Sequence, residues 1–256
     1  MVGAMRSGLK SLVLVMAFGT IVPMPAVTGI DDAALRRSMG FFPVAGWILG
    51  LFLWGSMWAA AHLIPRFPAA LVVLAAYVLV TGALHLDGLA DTFDALGSRK
   101  SALDALVVMK DSRIGTMGAV AVMLVLMGKA IAFSRLSVAA MGVWVVVPVL
   151  ARTSVVWLMM GAPAARPEGL GAVYARKLSK WTVAGATGVG LLTAAALMPW
   201  HEALLVVLLA VASTVLWALL IRRRFGGATG DTYGGLLEIV EWAGFLALTG
   251  GWGYGH

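Results

Sequence analysis

Long apolar stretches separated by short polar segments dominate the chain. Eight of them approach the roughly 20 residues that a helix needs to cross a bilayer. They cover residues 11–30, 41–64, 68–86, 114–133, 136–160, 181–199, 203–221 and 234–251. Pro23 and Pro25 are expected to end or bend the first stretch early. The pattern therefore predicts an all-α fold, a polytopic integral membrane helical bundle of about 7–8 transmembrane helices, with residues 1–256 in a single transmembrane domain.

Composition agrees with a membrane protein. Hydrophobic residues make up 61% of the 256 residues and charged residues 12%, which excludes an ordinary soluble domain and a disordered chain. The absence of cysteine excludes disulfides, thiolate metal sites and cysteine nucleophiles. The net charge of +7 would suggest nucleic acid in a soluble protein. In a chain this apolar we expect no nucleic acid and place the positive residues beside lipid headgroups.

The positive residues also predict an orientation. Thirteen of the 19 lysines and arginines fall in alternate connecting segments, which are residues 31–40, 87–113, 161–180 and 222–233. Five fall in the other segments, and Arg152 lies inside a predicted span. By the positive-inside rule, the segments that are rich in lysine and arginine face the cytoplasm.

An acidic cluster begins where the third predicted span ends. Asp87, Asp91 and Asp94 are spaced i, i+4 and i+7, so a helix would place all three carboxylates on one stripe. Three unneutralised acids in an apolar context indicate a bound cation, and oxygen ligands favour Mg²⁺ or Mn²⁺. His85, just before them, is a candidate base or a partner of the aspartates.

A basic segment precedes the fourth predicted span. Lys110 and Arg113 are three residues apart and can face one ligand, and the guanidinium of Arg113 suits phosphate oxygens. The N-terminus of the following helix adds backbone N–H groups that favour an anion. The segment is equally compatible with a membrane anchor that holds one local salt bridge.

A glycine-rich segment precedes the last predicted span. Five glycines lie in residues 226–235, and Gly230 and Thr232 flank Asp231 in a loop that could hold phosphate. Asp231 and Glu238 are seven residues apart, on one helical face, and an ionisable residue at the depth of Glu238 is a functional candidate. Arg152, in the middle of a span, needs an anionic partner, either Glu238 or the substrate.

Together these groups provide the equipment for phosphoryl transfer. Carboxylates hold a divalent metal, and the metal and arginines hold phosphate, so the chemistry depends on positioning and charge neutralisation. The residues alone therefore indicate a metal-dependent transferase or hydrolase that acts on a phosphate anhydride at the cytoplasmic surface.

At the same positions the sequence resembles the cobalamin synthase family, the adenosylcobinamide-GDP ribazoletransferases. Residues 85–92 (HLDGLADT), 109–116 (MKDSRIGT) and 229–238 (TGDTYGGLLE) are similar to three blocks of that family, in the same order. The chain departs from the family's usual residues at Ile21, Ala95 and Gly235, and none of these departures removes a carboxylate. Ile21 replaces an arginine, which argues against phosphate binding by that early segment.

The resemblance implies a Mg²⁺-dependent reaction that joins adenosylcobinamide-GDP to α-ribazole or its 5′-phosphate and releases GMP. The ribazole 3′-hydroxyl would attack the cobinamide-linked phosphorus, giving adenosylcobalamin or its 5′-phosphate. The residues expected to hold metal are Asp87, Asp91, Asp94, Asp231 and Glu238, and the last two would complete the metal site or orient the nucleophile. The residues expected to hold phosphate are Lys110, Arg113, Arg152, Gly230 and Thr232. The hydroxyl proton would pass to His85 or to one of the aspartates.

The resemblance also implies partners and a location. The expected partners are the two substrates, the lipid bilayer and other enzymes of corrinoid assembly. The expected location is the inner membrane, with the active site facing the cytoplasm. One alternative is a phosphotransferase of the CDP-alcohol phosphatidyltransferase type, although that motif's arginine after Ala90 is missing. A transporter is a weaker alternative, because only Arg152 lies deep in a span and no repeat is present.

Overall fold

The chain folds almost entirely into helices. A computed structural model describes residues 2–175 and 178–250, and within these ranges the regular structure is helical. The α-helices, in chain order, are α1 (Val2–Gly19), α2 (Asp32–Ser38), α3 (Phe42–Leu63), α4 (Arg66–Val80), α5 (Leu84–Gly97), α6 (Ala102–Val108), α7 (Thr116–Arg135), α8 (Met141–Gly161), α9 (Leu170–Ala175), α10 (Lys180–Leu197), α11 (Trp200–Phe225) and α12 (Gly230–Ala247). A 3₁₀ turn, Met39–Phe41, joins α2 to α3.

Helix α8 lies at the centre of the bundle. It packs against α3, α10, α11 and α12, and its residues are buried on nearly every side. Helix α3 comes especially close to it, because Gly46 and Gly50 present no side chain at the contact. A Cβ atom at either glycine would lie 2.7 Å from the backbone of α8. Close packing of helices through small residues is typical of membrane proteins, where apolar surface alone does not drive helices together.

The predicted membrane helices form, but the number of spans predicted, seven to eight, is not confirmed. Among the described residues four helical segments are long and apolar enough to cross a bilayer, and a fifth results if α4 and α5 are taken as one bent span. The four segments are residues 32–63, α7, α8 and α11. The structure is therefore that of a helical membrane protein with four or five candidate spans.

The third predicted span, residues 68–86, is broken. Helix α4 ends at Val80 and α5 begins at Leu84, with an angle of 88° between them. Gly82 and Ala83 take positive φ angles of 62° and 55°, which turns the chain out of the helix. Apolar residues continue beyond the turn as far as Leu86, so the apolar pattern alone predicted one span.

Three other predicted spans differ from the observed helices. Helix α1 ends at Gly19, before Pro23, as the prolines suggested. Helices α10 and α12 form where spans were predicted at 181–199 and 234–251. Neither helix is among the four candidate spans. Buried Glu238 and Glu241 make α12 less apolar. Gly251, Arg176 and Lys177, which entered the sequence predictions, lie outside the described residues.

The connections on the two ends of the bundle differ in character. At one end they are short, and a guanidinium nitrogen of Arg66 donates to the Leu136 carbonyl at 2.7 Å. At the other end, residues 81–115, 162–175, 178–179 and 226–229 meet, and the Ala165 N–H donates to the Ala228 carbonyl at 2.9 Å. This second end carries the acidic and glycine-rich segments, so the fold brings the candidate site residues together there.

Candidate active site

Two glycines allow α5 and α12 to approach closely at the acidic motifs. A Cβ atom at Gly88 would lie 2.7 Å from the carbonyl oxygen of Asp231. A Cβ atom at Gly234 would lie 3.1 Å from the Cα atom of His85. The two motifs, more than a hundred residues apart in the chain, therefore pack backbone to backbone. This contact sets the separation between Asp87 on α5 and Asp231 on α12.

Three adjoining cavities open around these aspartates. The inner cavity is lined by His85, Asp87, Asp231 and Tyr233 together with apolar side chains. The lysine cavity is lined by Asp87, Asp91 and Lys110, and the arginine cavity by Arg166, Glu168 and Asp231. Asp87 borders both the inner and the lysine cavity, and Asp231 borders both the inner and the arginine cavity. The carboxylates of Asp87 and Asp231 therefore lie between the apolar inner cavity and the two outer cavities, which contain Lys110 and Arg166.

The carboxylates repel one another and are only partly compensated. Asp91 experiences the negative charges of Asp87, Asp231 and Asp94. Burial raises the pKa of Asp231 above its ordinary value, and the charge of Arg166 and a hydrogen bond from the Thr229 hydroxyl oppose that rise. Like charges held together in the absence of a strong neutralising partner favour the binding of a cation.

Arg166 is the site residue that the sequence analysis missed. It interacts electrostatically with both Asp91 and Asp231, and its guanidinium donates to the Leu106 carbonyl at 2.5 Å. It lies in the segment between α8 and α9, where nothing in the local sequence distinguishes it from a membrane-anchoring arginine. Only the pairing of this segment with residue Ala228 brings Arg166 to the aspartates.

The structure gives Asp94 a different set of partners from Asp87 and Asp91. Its two carboxylate oxygens accept hydrogen bonds from the backbone N–H groups of Gly115 and Gly118, at 2.6 and 2.7 Å. These N–H groups lie at the beginning of α7. The sequence analysis predicted that they would favour an anion such as phosphate. A carboxylate of the protein already satisfies them, so Asp94 caps a helix here.

Lys110 and Arg113 are separated by the fold. Lys110 is exposed and lines the lysine cavity with Asp87 and Asp91. Arg113 pairs with Asp111 at 2.7 Å on the surface, and its side chain is 86% exposed. The hydrogen bonds from Arg113 lower the pKa of Asp111 to about 2. The structure therefore brings Lys110, and not Arg113, to the carboxylates.

The glycine-rich segment contributes a helix cap and one wall. The Thr229 hydroxyl accepts from the Thr232 N–H, and the Thr232 hydroxyl accepts from the Thr229 N–H at 2.9 Å, so the two form a capping box at the start of α12. Thr232 is fully buried in this arrangement. Gly230 lines both the inner and the arginine cavity. Gly230 is thus placed to contact a ligand, whereas Thr232 shapes the backbone.

Glu238 belongs to a buried network deeper in the bundle. The Lys129 ammonium donates to Glu238 at 2.7 Å and to Glu241 at 2.6 Å. Arg152 pairs with Glu241, and the Tyr77 hydroxyl donates to the same carboxylate at 2.7 Å. Arg152 therefore takes Glu241 as its partner, where the sequence suggested Glu238 or the substrate. The two carboxylates offset two cations inside the protein, which is the condition for burying charge.

The donor set suits a hard cation, although the protein alone does not complete a site. Among the described residues, no three Asp, Glu, His or Cys side chains form a group that could hold a metal ion. Asp87 and Asp91 offer carboxylate oxygens at the lysine cavity. Mg²⁺ is commonly held by one or two carboxylates, with waters and substrate phosphates as its other ligands. The pair fits that mode of binding.

Comparison with known proteins identifies the family. The family model described as cobalamin-5-phosphate synthase matches residues 11–249. A Roseiflexus protein named adenosylcobinamide-GDP ribazoletransferase is 36% identical over 91% of this chain and 87% of its own. A protein of the same name from Pseudomonas putida is 40% identical over 83% of this chain and 87% of its own. No solved structure matches the chain. The chain accordingly belongs to the cobalamin-5-phosphate synthase family of enzymes.

Proposed function

We propose that this protein is an adenosylcobinamide-GDP ribazoletransferase that depends on Mg²⁺. The observation that carries the proposal is the meeting of Asp87 and Asp231 between the apolar inner cavity and two chambers that contain Lys110 and Arg166. In the proposed reaction, α-ribazole or its 5′-phosphate displaces GMP from adenosylcobinamide-GDP, and the family of this chain and the names of its relatives support that proposal.

In the proposed reaction, the ribazole 3′-hydroxyl oxygen forms a bond to the cobinamide-linked phosphorus, and the bond to the GMP oxygen breaks. Asp231 orients the attacking hydroxyl and accepts its proton, since this residue lines the inner cavity and is half-buried. Lys110 and Arg166 hold the diphosphate in the two outer cavities. Each cation lies beside a cavity that a carboxylate also lines.

Asp87 and Asp91 would hold Mg²⁺, since both line the lysine cavity. When bound, the metal supplies charge neutralisation of the diphosphate and of the departing GMP. Asp94 and Glu238 are not included, because both Asp94 oxygens accept from backbone N–H groups at the start of α7 and Glu238 is buried in an ion pair with Lys129.

We further propose that the reaction occurs at the cytoplasmic face of the inner membrane. Asp87, Lys110, Arg166 and Asp231 fall in three of the four connecting segments that together carry 13 of the 19 lysines and arginines, which are residues 31–40, 87–113, 161–180 and 222–233. We expect nucleotide-linked substrates, which are water-soluble, to be supplied from the cytoplasm.

The test is product formation by the full chain, purified and reconstituted in liposomes. We expect GMP and a cobalamin-type product from adenosylcobinamide-GDP and α-ribazole or its 5′-phosphate with Mg²⁺, and loss of both products with EDTA. Asp91→Asn should abolish turnover while the protein stays folded, because it removes one carboxylate from the proposed metal pair. Parallel reactions with the two ribazole forms determine which one is preferred.

Arg113→Gln provides the matched control, because Arg113 is exposed and, unlike its partner Asp111, does not line the lysine cavity. It should retain most of the activity. Full activity of Asp91→Asn, or turnover that is unaffected by EDTA, would contradict the proposed metal pair. Turnover of CDP-linked alcohols in place of adenosylcobinamide-GDP would contradict the proposed substrate.

A further inference from the structure

The inner cavity has walls that suit a flat aromatic ring. Four aromatic side chains line it, those of Phe18, Phe42, Tyr174 and Tyr233. Phe18 and Tyr174 meet edge to face, with their ring centroids 6.1 Å apart. Val155 and Met159 of α8 add aliphatic surface. Aromatic rings favour this edge-to-face arrangement, and a flat ligand ring can join such a cluster.

The size of the cavity limits what it can hold. Its volume is about 170 Å³. An apolar cavity of about 150 Å³ in another protein accepts benzene, so this one accommodates one small aromatic ring system and not a corrin macrocycle. A corrin must therefore remain outside, toward the outer cavities.

Two polar groups in the cavity wall have no hydrogen-bond partner among the residues that the structure describes. Both ring nitrogens of His85 and the hydroxyl of Tyr233 are buried without a hydrogen bond, and the two side chains are 5% exposed. Buried polar groups are nearly always hydrogen-bonded, so these side chains are expected to bind a polar atom of a ligand. Guanine would need several partners along its edges, whereas a ring nitrogen of a benzimidazole needs one.

The position of the carboxylates gives the ligand a direction. Asp87 and Asp231 line the inner cavity and also border the outer cavities, where Lys110 and Arg166 lie. A base bound among the aromatic rings would place the sugar attached to it beside the two carboxylates. The diphosphate of the other substrate would then approach from the side of the two cations.

We propose that the inner cavity binds the benzimidazole base of α-ribazole, with His85 and Tyr233 as its polar contacts. This inference rests on the proposed function and extends it, because it assigns the nucleophilic substrate to one chamber and leaves the guanosine and the corrinoid outside. Tyr233 and Val155, which both line the cavity, then determine which base the enzyme accepts in α-ribazole.

The test separates the two substrates by their KM values. Val155→Phe fills the cavity, so we expect the KM for α-ribazole to rise about tenfold or more, with the KM for adenosylcobinamide-GDP unchanged. Tyr233→Phe removes only the hydroxyl and should raise the same KM about fivefold. Val206→Phe is the matched control, because Val206 and Val155 are both 2% exposed. Val206 lies on α11 and does not line the cavity. It should change neither value.

Two outcomes would overturn the inference. One is a rise in the KM for adenosylcobinamide-GDP alone, which would assign guanine or the corrinoid side chain to the cavity. The other is an unchanged KM for both substrates in the filled variant. If Val155→Phe does not fold, the two KM values of Tyr233→Phe, for α-ribazole and for adenosylcobinamide-GDP, decide between the outcomes.

A binding measurement keeps the inference separate from the proposed function. Free 5,6-dimethylbenzimidazole is added to the purified full chain in detergent and followed by equilibrium dialysis, which requires no turnover. Binding by the wild type and by Val206→Phe, with loss in Val155→Phe or Tyr233→Phe, supports the assignment even if no GMP is formed. Absence of binding to the wild type overturns it, whatever the transferase assay gives.

Discussion

Glu241 contacts three other residues of the buried network. It accepts hydrogen bonds from Lys129 and Tyr77 and pairs with Arg152, so it joins α12 to α4, α7 and α8. Glu238, three residues earlier, pairs with Lys129 alone in the same network. Removing one partner of a buried ion pair leaves an uncompensated charge, which costs far more than the loss of a surface pair.

We expect Glu241→Gln to lower the free energy of unfolding by about 3–5 kcal/mol. Glu238→Gln should cost less, because Lys129 keeps Glu241 as a partner. Glu168→Gln, at an exposed position, should leave stability unchanged. Thermal unfolding of the three detergent-purified variants measures the order. Equal melting temperatures for Glu241→Gln and Glu168→Gln would show that the network contributes nothing to stability.

Single residues also show how far the sequence could lead. Asp87, Asp91 and Asp231 were predicted as site residues because their motifs are local and lie in apolar surroundings, where unpaired acids are conspicuous. The cap formed by Asp94 and the pairing of Arg152 with Glu241 could not be predicted, because each joins helices that are distant in the chain. Arg166 was missed for the same reason.

At the level of elements, the α5–α12 contact determines the geometry of the site. Both helices were predicted to carry the motifs, but hydropathy gave no sign of the bend between α4 and α5 that turns α5 toward α12. The bend depends on two residues with positive φ, Gly82 and Ala83, and an alanine is not expected in that conformation from the sequence. Pattern therefore predicted the helices but not their angle.

Gly88→Ala tests that contact. Its Cβ atom would lie 2.7 Å from the Asp231 carbonyl oxygen, so α5 and α12 must move apart and Asp87 shifts relative to Asp231. We expect turnover to fall by about a hundredfold, as displacements near 1 Å at a reacting centre typically cause. The measurement is kcat in the liposome assay.

Gly185→Ala on α10 is the matched control, because, beyond its chain neighbours and its own helix backbone, no atom of the described part of the chain lies within 4 Å of a Cβ atom there. It should keep full turnover, with stability unchanged or raised by up to about 1 kcal/mol, since alanine favours a helix. Equal activity of Gly88→Ala and Gly185→Ala would mean that the spacing of the two helices does not control the reaction.

At the level of the whole molecule, the proposed orientation in the membrane can be mapped by labelling introduced cysteines, without a signal from native thiols. The chain contains no cysteine, so an introduced thiol is its only one. Lys100→Cys lies at the site end and Ala139→Cys at the opposite end, and both positions are exposed. In intact spheroplasts, a membrane-impermeant maleimide should label Ala139→Cys and spare Lys100→Cys. The reverse pattern would place the site outside the cytoplasm.

The length of α4 has a consequence for how substrates arrive. Its 15 residues span about 22 Å at 1.5 Å per residue, less than the hydrocarbon thickness of about 30 Å. The chain then turns by 88° into α5, so the acidic motif begins before a full crossing is complete. We expect the bilayer to become thinner around a helix as short as α4. We expect the proposed site therefore to lie below the level of the surrounding headgroups, so that a water-soluble nucleotide must descend to reach it.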